Sequence, residues 1–331
     1  MYIIMKLLLI LLIPLVSCAQ TVTQDSTYPK NGRLVNIGER KLYLQCSGKG
    51  GPTILLVAGG GAFAIDWWLV QSQISATCRV CAFDRAGLGW SDSGPDEETV
   101  EETVSDLHTL LAAAQEKGPY LLVGASIGGI FIQAYQNAFP KEVAGLVFSN
   151  SSNHIGFASK DKTGLIWDLS DREISASFPL PPRAKKFVSA TTVPDPFSRL
   201  PQEMQQKRLW LTNQLFAKWD TSKSTPASML SWRKEFLREF EESAANSKPL
   251  GQLPVVVIAS DPQANDSVLR TREGAAGLLD FLSANTIHIT ATGSGHEIHL
   301  YQADTVIKGL KIAVEAIRKN ISLSEALKKI K

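Results

Sequence analysis

The chain has 331 residues, 44% of them hydrophobic and 20% charged, which is ordinary for a globular protein able to bury a large core. Its net charge is only +2, so the charge gives no indication of a nucleic-acid partner. Composition alone selects no catalytic class, and the function has to be inferred from motifs.

The amino terminus has the pattern of a secretory signal peptide. A lysine precedes the apolar run Leu7–Ile13, small residues follow it, and the run is too short to span a membrane comfortably. Leu15-Val16-Ser17-Cys18 resembles the bacterial lipobox, whose cysteine becomes the lipidated first residue of the mature chain. We therefore predict a signal peptide over residues 1–18 with a lipid anchor at Cys18, which would hold the protein on a membrane of the bacterial cell envelope. Cleavage after Ala19, giving a periplasmic or secreted protein, is the alternative.

From residue 30 onward, short apolar strands alternate with helical stretches. The predicted strands, in chain order, are Arg33–Ile37, Lys41–Cys46, Thr53–Val57, Arg79–Phe83, Tyr120–Val123, Val143–Phe148, Leu253–Ile258 and Thr286–Thr290. Helical spacing occurs in Glu97–Lys117, Ile130–Phe139 and Val268–Leu282. This alternation predicts an α/β fold with a doubly wound, mostly parallel sheet that is opened by an antiparallel hairpin.

The alternation breaks between residues 151 and 250. That stretch is rich in tryptophan, phenylalanine and proline, has helical periodicity, and contains no strand candidate. A segment of about a hundred residues is too long to be a loop within a compact domain. We therefore predict a helical lid over residues 151–250, inserted into a core formed by residues 30–150 and 251–320.

Three further cysteines, Cys46, Cys78 and Cys81, lie in the predicted core. They are too few for a disulfide framework, and no second pair is present to complete a zinc site. In an extended strand, Cys78 and Cys81 would point to opposite faces. The sequence leaves two alternatives open: one bridge from Cys46 to either of the other two, or buried free thiols.

The most informative motif is Gly124-Ala125-Ser126-Ile127-Gly128, which stands between a predicted buried strand and a predicted helix. This G-x-S-x-G pattern is typical of a nucleophile elbow, where a serine on a sharp strand-to-helix turn projects its hydroxyl above the sheet. The flanking positions need glycine because larger side chains would collide with the neighbouring strand and helix. Ser126 is therefore the predicted nucleophile.

With this motif the chain resembles the α/β-hydrolases from Arg33 to about Ala316. The resemblance rests on the elbow together with Gly59-Gly60-Gly61, Asp84–Ser91, Val143–Val147 and Gly295-His296. It implies a serine hydrolase that acts on a carboxylic ester or related acyl bond of a small molecule, with no metal or organic cofactor. Alternatives are an amidase, aminopeptidase or acyltransferase using the same residues, and a non-catalytic binding protein with a hydrolase fold.

A serine hydroxyl needs an adjacent base to remove its proton, and His296 is the predicted base. It stands in a turn after the last predicted strand, where a loop at the carboxyl edge of the sheet can reach back to Ser126. His299, expected in the closing helix, and His154, at the start of the lid, are the alternatives.

The resemblance also implies an acid after the penultimate strand, which would orient the histidine and stabilise its charge. Asp261 is the preferred candidate, although it comes a little early after that strand. Asp266 comes a little late and also suits the N-cap of the following helix, so it is the alternative. Some relatives carry the acid one strand earlier, where this chain has Asn150; an amide there orients the imidazole without stabilising its charge.

Finally, the resemblance implies an oxyanion hole formed by the backbone N–H groups of Ile127 and Gly60. Glycine at position 60 would let the main chain approach the substrate oxygen closely. Ala58 and Ala125 stand where many relatives have histidine, which alters pocket polarity but removes no catalytic group. Asp84-Arg85 looks catalytic by charge and position, yet in the family this segment ties a loop beneath the site.

Overall fold

The computed structural model describes residues 27–94, 99–151, 158–161, 164–167, 189–221, 250–260 and 283–330. Several sequence predictions lie outside these described residues, namely the signal peptide with Cys18, the candidate base His154, the candidate acids Asp261 and Asp266, and the helix at Val268–Leu282. Those predictions stay predictions.

The strands within the described residues are β1 (Gly32–Asn36), β2 (Lys41–Ser47), β3 (Thr53–Val57), β4 (Val80–Phe83), β5 (Tyr120–Ala125), β6 (Val143–Ser149), β7 (Ala158–Asp161), β8 (Gly164–Trp167), β9 (Val255–Ser260) and β10 (Thr286–Ala291). Eight of them form one sheet in the order β1-β2-β4-β3-β5-β6-β9-β10. Strand β2 is antiparallel to both its neighbours, and the remaining neighbours are parallel. This confirms the predicted α/β fold with its antiparallel opening hairpin.

The helices are α1 (Trp68–Ile74), α2 (Val100–Ala113), α3 (Gly128–Ala138), α4 (Gln202–Thr221), α5 (Ile298–Tyr301), α6 (Ala303–Lys319) and α7 (Leu323–Lys329). Helices α2 and α3 pack on one face of the sheet, and α1, α6 and α7 pack on the other. Within the ranges given above, no helix combines the length and apolarity needed to cross a membrane.

Burial on both faces explains the sequence patterns of the central elements. All five residues of β3 are buried, because helices cover both sides of the strand, and the strand is accordingly a continuous apolar run. Helix α6 needs only one apolar face and buries Val306, Leu310 and Ala313 at helical spacing. Helix α2 begins at the N-cap Thr99, whose side chain accepts a hydrogen bond from the Glu102 backbone N–H. The candidate site lies at the carboxyl edge of this sheet, where β5, β6 and β10 end.

Part of the predicted lid differs from expectation. The inference that residues 151–250 contain no strand is wrong at β7 and β8, which pair with each other as an antiparallel hairpin separate from the main sheet. Each strand has four residues, which is too short to establish an alternating pattern in the sequence. Helix α4, in the same region, is helical as predicted.

A disulfide joins β2 of the opening hairpin to β4, its other neighbour in the sheet. Cys46 on β2 lies directly opposite Cys81 on β4, and their sulfur atoms are bonded. Cys78 precedes β4, is buried, and carries a free thiol. The structure therefore selects Cys46–Cys81 among the alternatives that the sequence left open.

Candidate active site

Ser126 occupies a strained turn between β5 and α3. Its φ angle is +52°, in the left-handed region that non-glycine residues seldom adopt. A Cβ atom added to Gly124 would lie 2.6 Å from the backbone of Gly128, and one added to Gly128 would lie 2.5 Å from the carbonyl oxygen of Val57. The two glycines are thus required by backbone contacts on either side of a half-buried serine. This is the elbow geometry that the motif predicts.

The glycine-rich turn after β3 lies against this elbow. A Cβ atom on Gly59 would be 2.9 Å from Cβ and 3.6 Å from Oγ of Ser126. A Cβ atom on Gly60 would be 3.6 Å from Cδ1 of Ile127. The two predicted oxyanion donors, the N–H groups of Gly60 and Ile127, are therefore on adjoining segments beside the serine. Ile127 is also the N-cap of α3, where the helix dipole favours negative charge.

Asp84 supports the turn from within the core. Its carboxylate accepts hydrogen bonds from the backbone N–H of Ala64 at 2.7 Å and of Trp90 at 3.0 Å. Burial raises the pKa of Asp84 to about 7, against the opposing effect of those hydrogen bonds. Gly89 has a φ of +56°, and a Cβ atom there would lie 1.9 Å from Asp84 Oδ2. Asp84 thus holds the backbone of two segments, at Ala64 and at Trp90, and its carboxylate is buried in the core.

His296 stands in the turn after β10 and is exposed. The side-chain Nδ2 of Asn150 lies 3.2 Å from His296 Nδ1 and 3.2 Å from the His296 carbonyl oxygen. Asn150 follows β6, is 4% exposed, and donates its backbone N–H to Ile258 at 2.7 Å. The residue at the alternative acid position therefore contacts the predicted base through an amide.

This contact bears on the tautomer of His296. With Nδ2 donating to both Nδ1 and the carbonyl oxygen, the imidazole proton would be on Nε2. A general base directed at Ser126 through Nε2 needs its proton on Nδ1, which an acceptor oxygen would stabilise. Rotating the Asn150 amide would supply that oxygen, but it would also bring the oxygen against the His296 carbonyl. The contact with Asn150 alone therefore does not favour the tautomer that a general base needs.

The alternative base His299 lies on α5, as predicted, and is buried. Its ring packs on Trp67 with centroids 4.4 Å apart. Burial, followed by the nearby His296, lowers the pKa of His299 to about 3. Nδ1 of His299 has no hydrogen-bond partner in the part of the chain that the structure describes. His299 is thus a neutral packing side chain behind the exposed His296.

A residue within the predicted lid, not among the site residues predicted from the sequence, reaches this region. Arg208 on α4 places its Nε 2.7 Å from Oδ1 of Asp66, and its guanidinium lies between the rings of Phe63 and Phe197. Asp66 is fully buried and also accepts the backbone N–H of Phe63 at 3.0 Å. The pair joins α4 to the segment that follows the glycine-rich turn. No sequence pattern could find it, because its members are far apart in the chain.

The described side chains include one group with metal-ligand spacing. Cys46, Cys81 and Glu116 have potential ligand atoms within 4.8 Å of one another. Both sulfur atoms belong to the disulfide, so this group lacks the thiolates that a metal would bind.

Comparison with known proteins agrees with the fold. The sequence profile described as "Alpha/beta hydrolase family" matches residues 54–308, which is most of the chain. The protein therefore belongs to the α/β-hydrolase family. The match includes the glycine-rich turn, the elbow and His296.

Curated relatives match shorter segments. The chain is 32% identical over 136 residues to a probable transporter, efuK, from Hormonema carpetanum, covering 39% of this chain and 19% of that protein. It is 30% identical over 103 residues to a putative carbamate hydrolase, RutD, from Cronobacter sakazakii, covering 30% of this chain and 38% of that protein. The chain thus spans well under half of the length of these two relatives.

Solved structures match over a larger part of the chain. A serine hydrolase involved in carbazole degradation superimposes with a TM-score of 0.56 at 20% identity, covering 84% of this chain and 96% of that one. At this identity the similarity establishes the fold alone.

Proposed function

We propose that the protein is an exported serine hydrolase that cleaves a carboxylic ester or a related acyl bond of a small molecule. The observation that carries the proposal is the backbone of Ser126, held at a φ of +52° between β5 and α3 with Gly59 against its side chain. A strained, half-buried serine beside two sets of main-chain donors suits nucleophilic attack on a carbonyl.

In the proposed mechanism Ser126 Oγ attacks the acyl carbon while His296 accepts its proton. The N–H groups of Gly60 and Ile127 donate hydrogen bonds to the oxyanion of the tetrahedral intermediate. His296 then protonates the leaving group, and a water molecule activated by the same imidazole hydrolyses the acyl-enzyme. Asp261 holds the imidazole with its proton on Nδ1, and Asp266 is the alternative for this role.

Hydrolysis of p-nitrophenyl esters from acetate to long chains tests the proposal on the mature protein. Wild type should hydrolyse at least part of the series, and Ser126→Ala and His296→Ala should each abolish that activity. His108→Ala is a matched control, because His108 lies on α2 beside Glu142 and away from Ser126. Activity that survives Ser126→Ala would contradict the proposal. The profile of activity against chain length would then indicate which acyl groups the lid admits.

Two further variants separate the two candidate acids. Asp261→Asn should lower kcat while leaving an intact fold, whereas Asp266→Asn should change neither kcat nor stability strongly, because asparagine also serves as an N-cap. The reverse result would assign the acid to Asp266. Amide and acyl-transfer substrates, assayed beside the esters, test the amidase, aminopeptidase and acyltransferase alternatives.

A second candidate function is ligand binding without catalysis on a hydrolase fold. It is favoured by the Asn150 amide, which meets His296 Nδ1 at a position where some relatives carry an acid. An activated serine reacts with a fluorophosphonate probe and an unactivated serine does not, so stoichiometric labelling of wild type would exclude this candidate. Absence of both labelling and ester hydrolysis would favour it.

The proposed export rests on the amino-terminal pattern and is supported by the Cys46–Cys81 disulfide, since disulfides persist in oxidising compartments. For a lipid anchor at Cys18, the wild-type protein should be recovered in the membrane fraction. Cys18→Ala should release or mislocalise it, with Cys78→Ala as the control. An unchanged membrane fraction in Cys18→Ala would contradict the anchor and leave the hydrolase proposal intact.

A further inference from the structure

Arg85 is a buried cation whose hydrogen bonds go to the turn beside Ser126. It directly follows Asp84 at the end of β4, is 5% exposed, and packs its guanidinium 4.9 Å from the ring centroid of Phe131. Its Nη1 donates to the carbonyl oxygens of Ala58 at 2.9 Å and Gly59 at 3.1 Å. One side-chain nitrogen therefore binds two successive peptide groups of the glycine-rich turn.

These two contacts determine the direction of the next two N–H groups. The peptide bonds of the turn are trans, so each carbonyl is antiparallel to the N–H of the following residue. With the Ala58 and Gly59 carbonyls aimed at Arg85, the N–H groups of Gly59 and Gly60 point away from it. Successive N–H groups on one side of the chain form a concavity that binds anions. A Cβ atom added to Gly59 would meet Ser126, and one added to Gly60 would meet Ile127, so both residues lie beside the elbow.

We propose that Arg85 is a positioning residue for the oxyanion hole. Its side chain holds the Gly59–Gly60 peptide so that the Gly60 N–H faces the oxyanion, and its positive charge polarises that peptide from the carbonyl side. A polarised N–H is a stronger donor to developing negative charge, so the effect is greater in the transition state than in the bound substrate. This inference rests on the proposed function, because it assigns Arg85 a part in the same reaction.

A purely structural role would not require a charge at this position. Two carbonyl oxygens can be satisfied by a neutral donor such as an amide, without the cost of burying a cation. The chain also provides a guanidinium that serves the fold alone. Arg79 Nη1 donates to the Gly48 carbonyl at 3.3 Å while its other nitrogens bind Glu116, in a turn that does not contact Ser126. Arg79 is therefore the matched control.

The test compares Arg85→Gln and Arg85→Lys with Arg79→Gln. Each variant is measured for kcat and KM on the best p-nitrophenyl ester, for the inhibition constant of a trifluoromethyl ketone that forms an oxyanion adduct, and for melting temperature. Arg85→Gln should lower kcat about 10- to 100-fold with KM nearly unchanged, and it should weaken the ketone by a similar factor. Arg85→Lys should recover part of both losses. Arg79→Gln should lower only the melting temperature.

The inference is overturned if Arg85→Gln keeps wild-type kcat, if KM alone changes, or if ketone affinity does not fall with kcat. Failure of both Arg85 variants to fold would also overturn it, since it would assign Arg85 to stability. An inactive wild type that no fluorophosphonate labels would instead refute the proposed function. The two failures are therefore distinguishable.

Discussion

The two halves of the candidate site are held by different kinds of contact. The backbone at Ser126 is set by packing, in which Gly124, Gly128 and Gly59 leave no room for a side chain. His296 lies in an exposed turn and is contacted through the side chain of Asn150. The geometry of the nucleophile half, Ser126 and its neighbouring glycines, therefore depends on the small size of those glycines. The geometry of the histidine half, His296 and Asn150, depends on which hydrogen-bond donors and acceptors are in contact. Substitutions in the nucleophile half should therefore act through steric clashes, and substitutions in the histidine half should act through the protonation of His296.

Substitution of Ser126 or His296, one residue from each half, should have a larger effect than any other change described below. Ser126→Ala and His296→Ala should each reduce kcat for ester hydrolysis by about 10⁴- to 10⁶-fold, because the two groups act as a unit. The double variant should be no slower than either single variant. Steady-state kinetics on all three variants measures this. Additive losses would mean that the two halves act independently, contrary to the proposed mechanism.

The disulfide joins β2 to β4 and involves no residue of either half, so it should affect stability without affecting the reaction. Replacing Cys46 and Cys81 together by alanine should lower the free energy of unfolding by about 2–4 kcal/mol, because the unfolded chain loses a cross-link. Reduction of the wild type should give the same loss, measured by denaturant unfolding. A changed kcat with unchanged stability would contradict this separation.

A single added methyl group should destabilise the nucleophile half. Gly128→Ala would bring a Cβ atom 2.5 Å from the Val57 carbonyl oxygen and should cost about 1–3 kcal/mol of stability. Gly60→Ala is the matched control for stability, since its nearest contact would be the flexible end of Ile127 at 3.6 Å. Denaturant unfolding of the two variants should separate them. Equal stabilities would show that the elbow is less tightly packed than the structure indicates.

The smallest expected effect concerns His299, behind the histidine half. Its folded pKa of about 3 is below the unfolded value of about 6.5, so acid favours the unfolded chain, which takes up the proton. Wild-type stability should therefore fall as the pH drops from 7 to 5, by about 1–2 kcal/mol relative to His299→Gln. Unfolding free energies at both pH values measure this difference. A difference that does not change with pH would contradict the buried, neutral state of His299.

Much of the fold could be predicted because the central strands are long apolar runs. The predicted strand Thr53–Val57 coincides with β3, and the elbow motif marks the junction of β5 with α3. The hairpin of β7 and β8 could not be predicted, since each of these strands is only four residues long. Helix boundaries also differed, as α2 spans Val100–Ala113 of the longer stretch with helical spacing.

The candidate site was predictable where a local motif fixes the backbone. Ser126, Gly60 and Ile127 were predicted from short motifs, in which the glycines allow the backbone to pack closely. Contacts between distant segments were not predictable in the same way. The Asp66–Arg208 pair and the two hydrogen bonds of Arg85 to the turn depend on tertiary packing that no local pattern records. The acid that orients His296 could not be assigned for the same reason, because its identity depends on which carboxylate reaches the imidazole.

The central claim is that Ser126 is a nucleophile activated by His296, and covalent labelling tests it most directly. Wild type, Ser126→Ala and His296→Ala would be treated with a fluorophosphonate and analysed by intact mass and peptide mapping. We expect one adduct per wild-type chain on the peptide containing Ser126, none on Ser126→Ala, and strongly slowed labelling of His296→Ala. Labelling at another residue, or no labelling of a folded wild type, would contradict it.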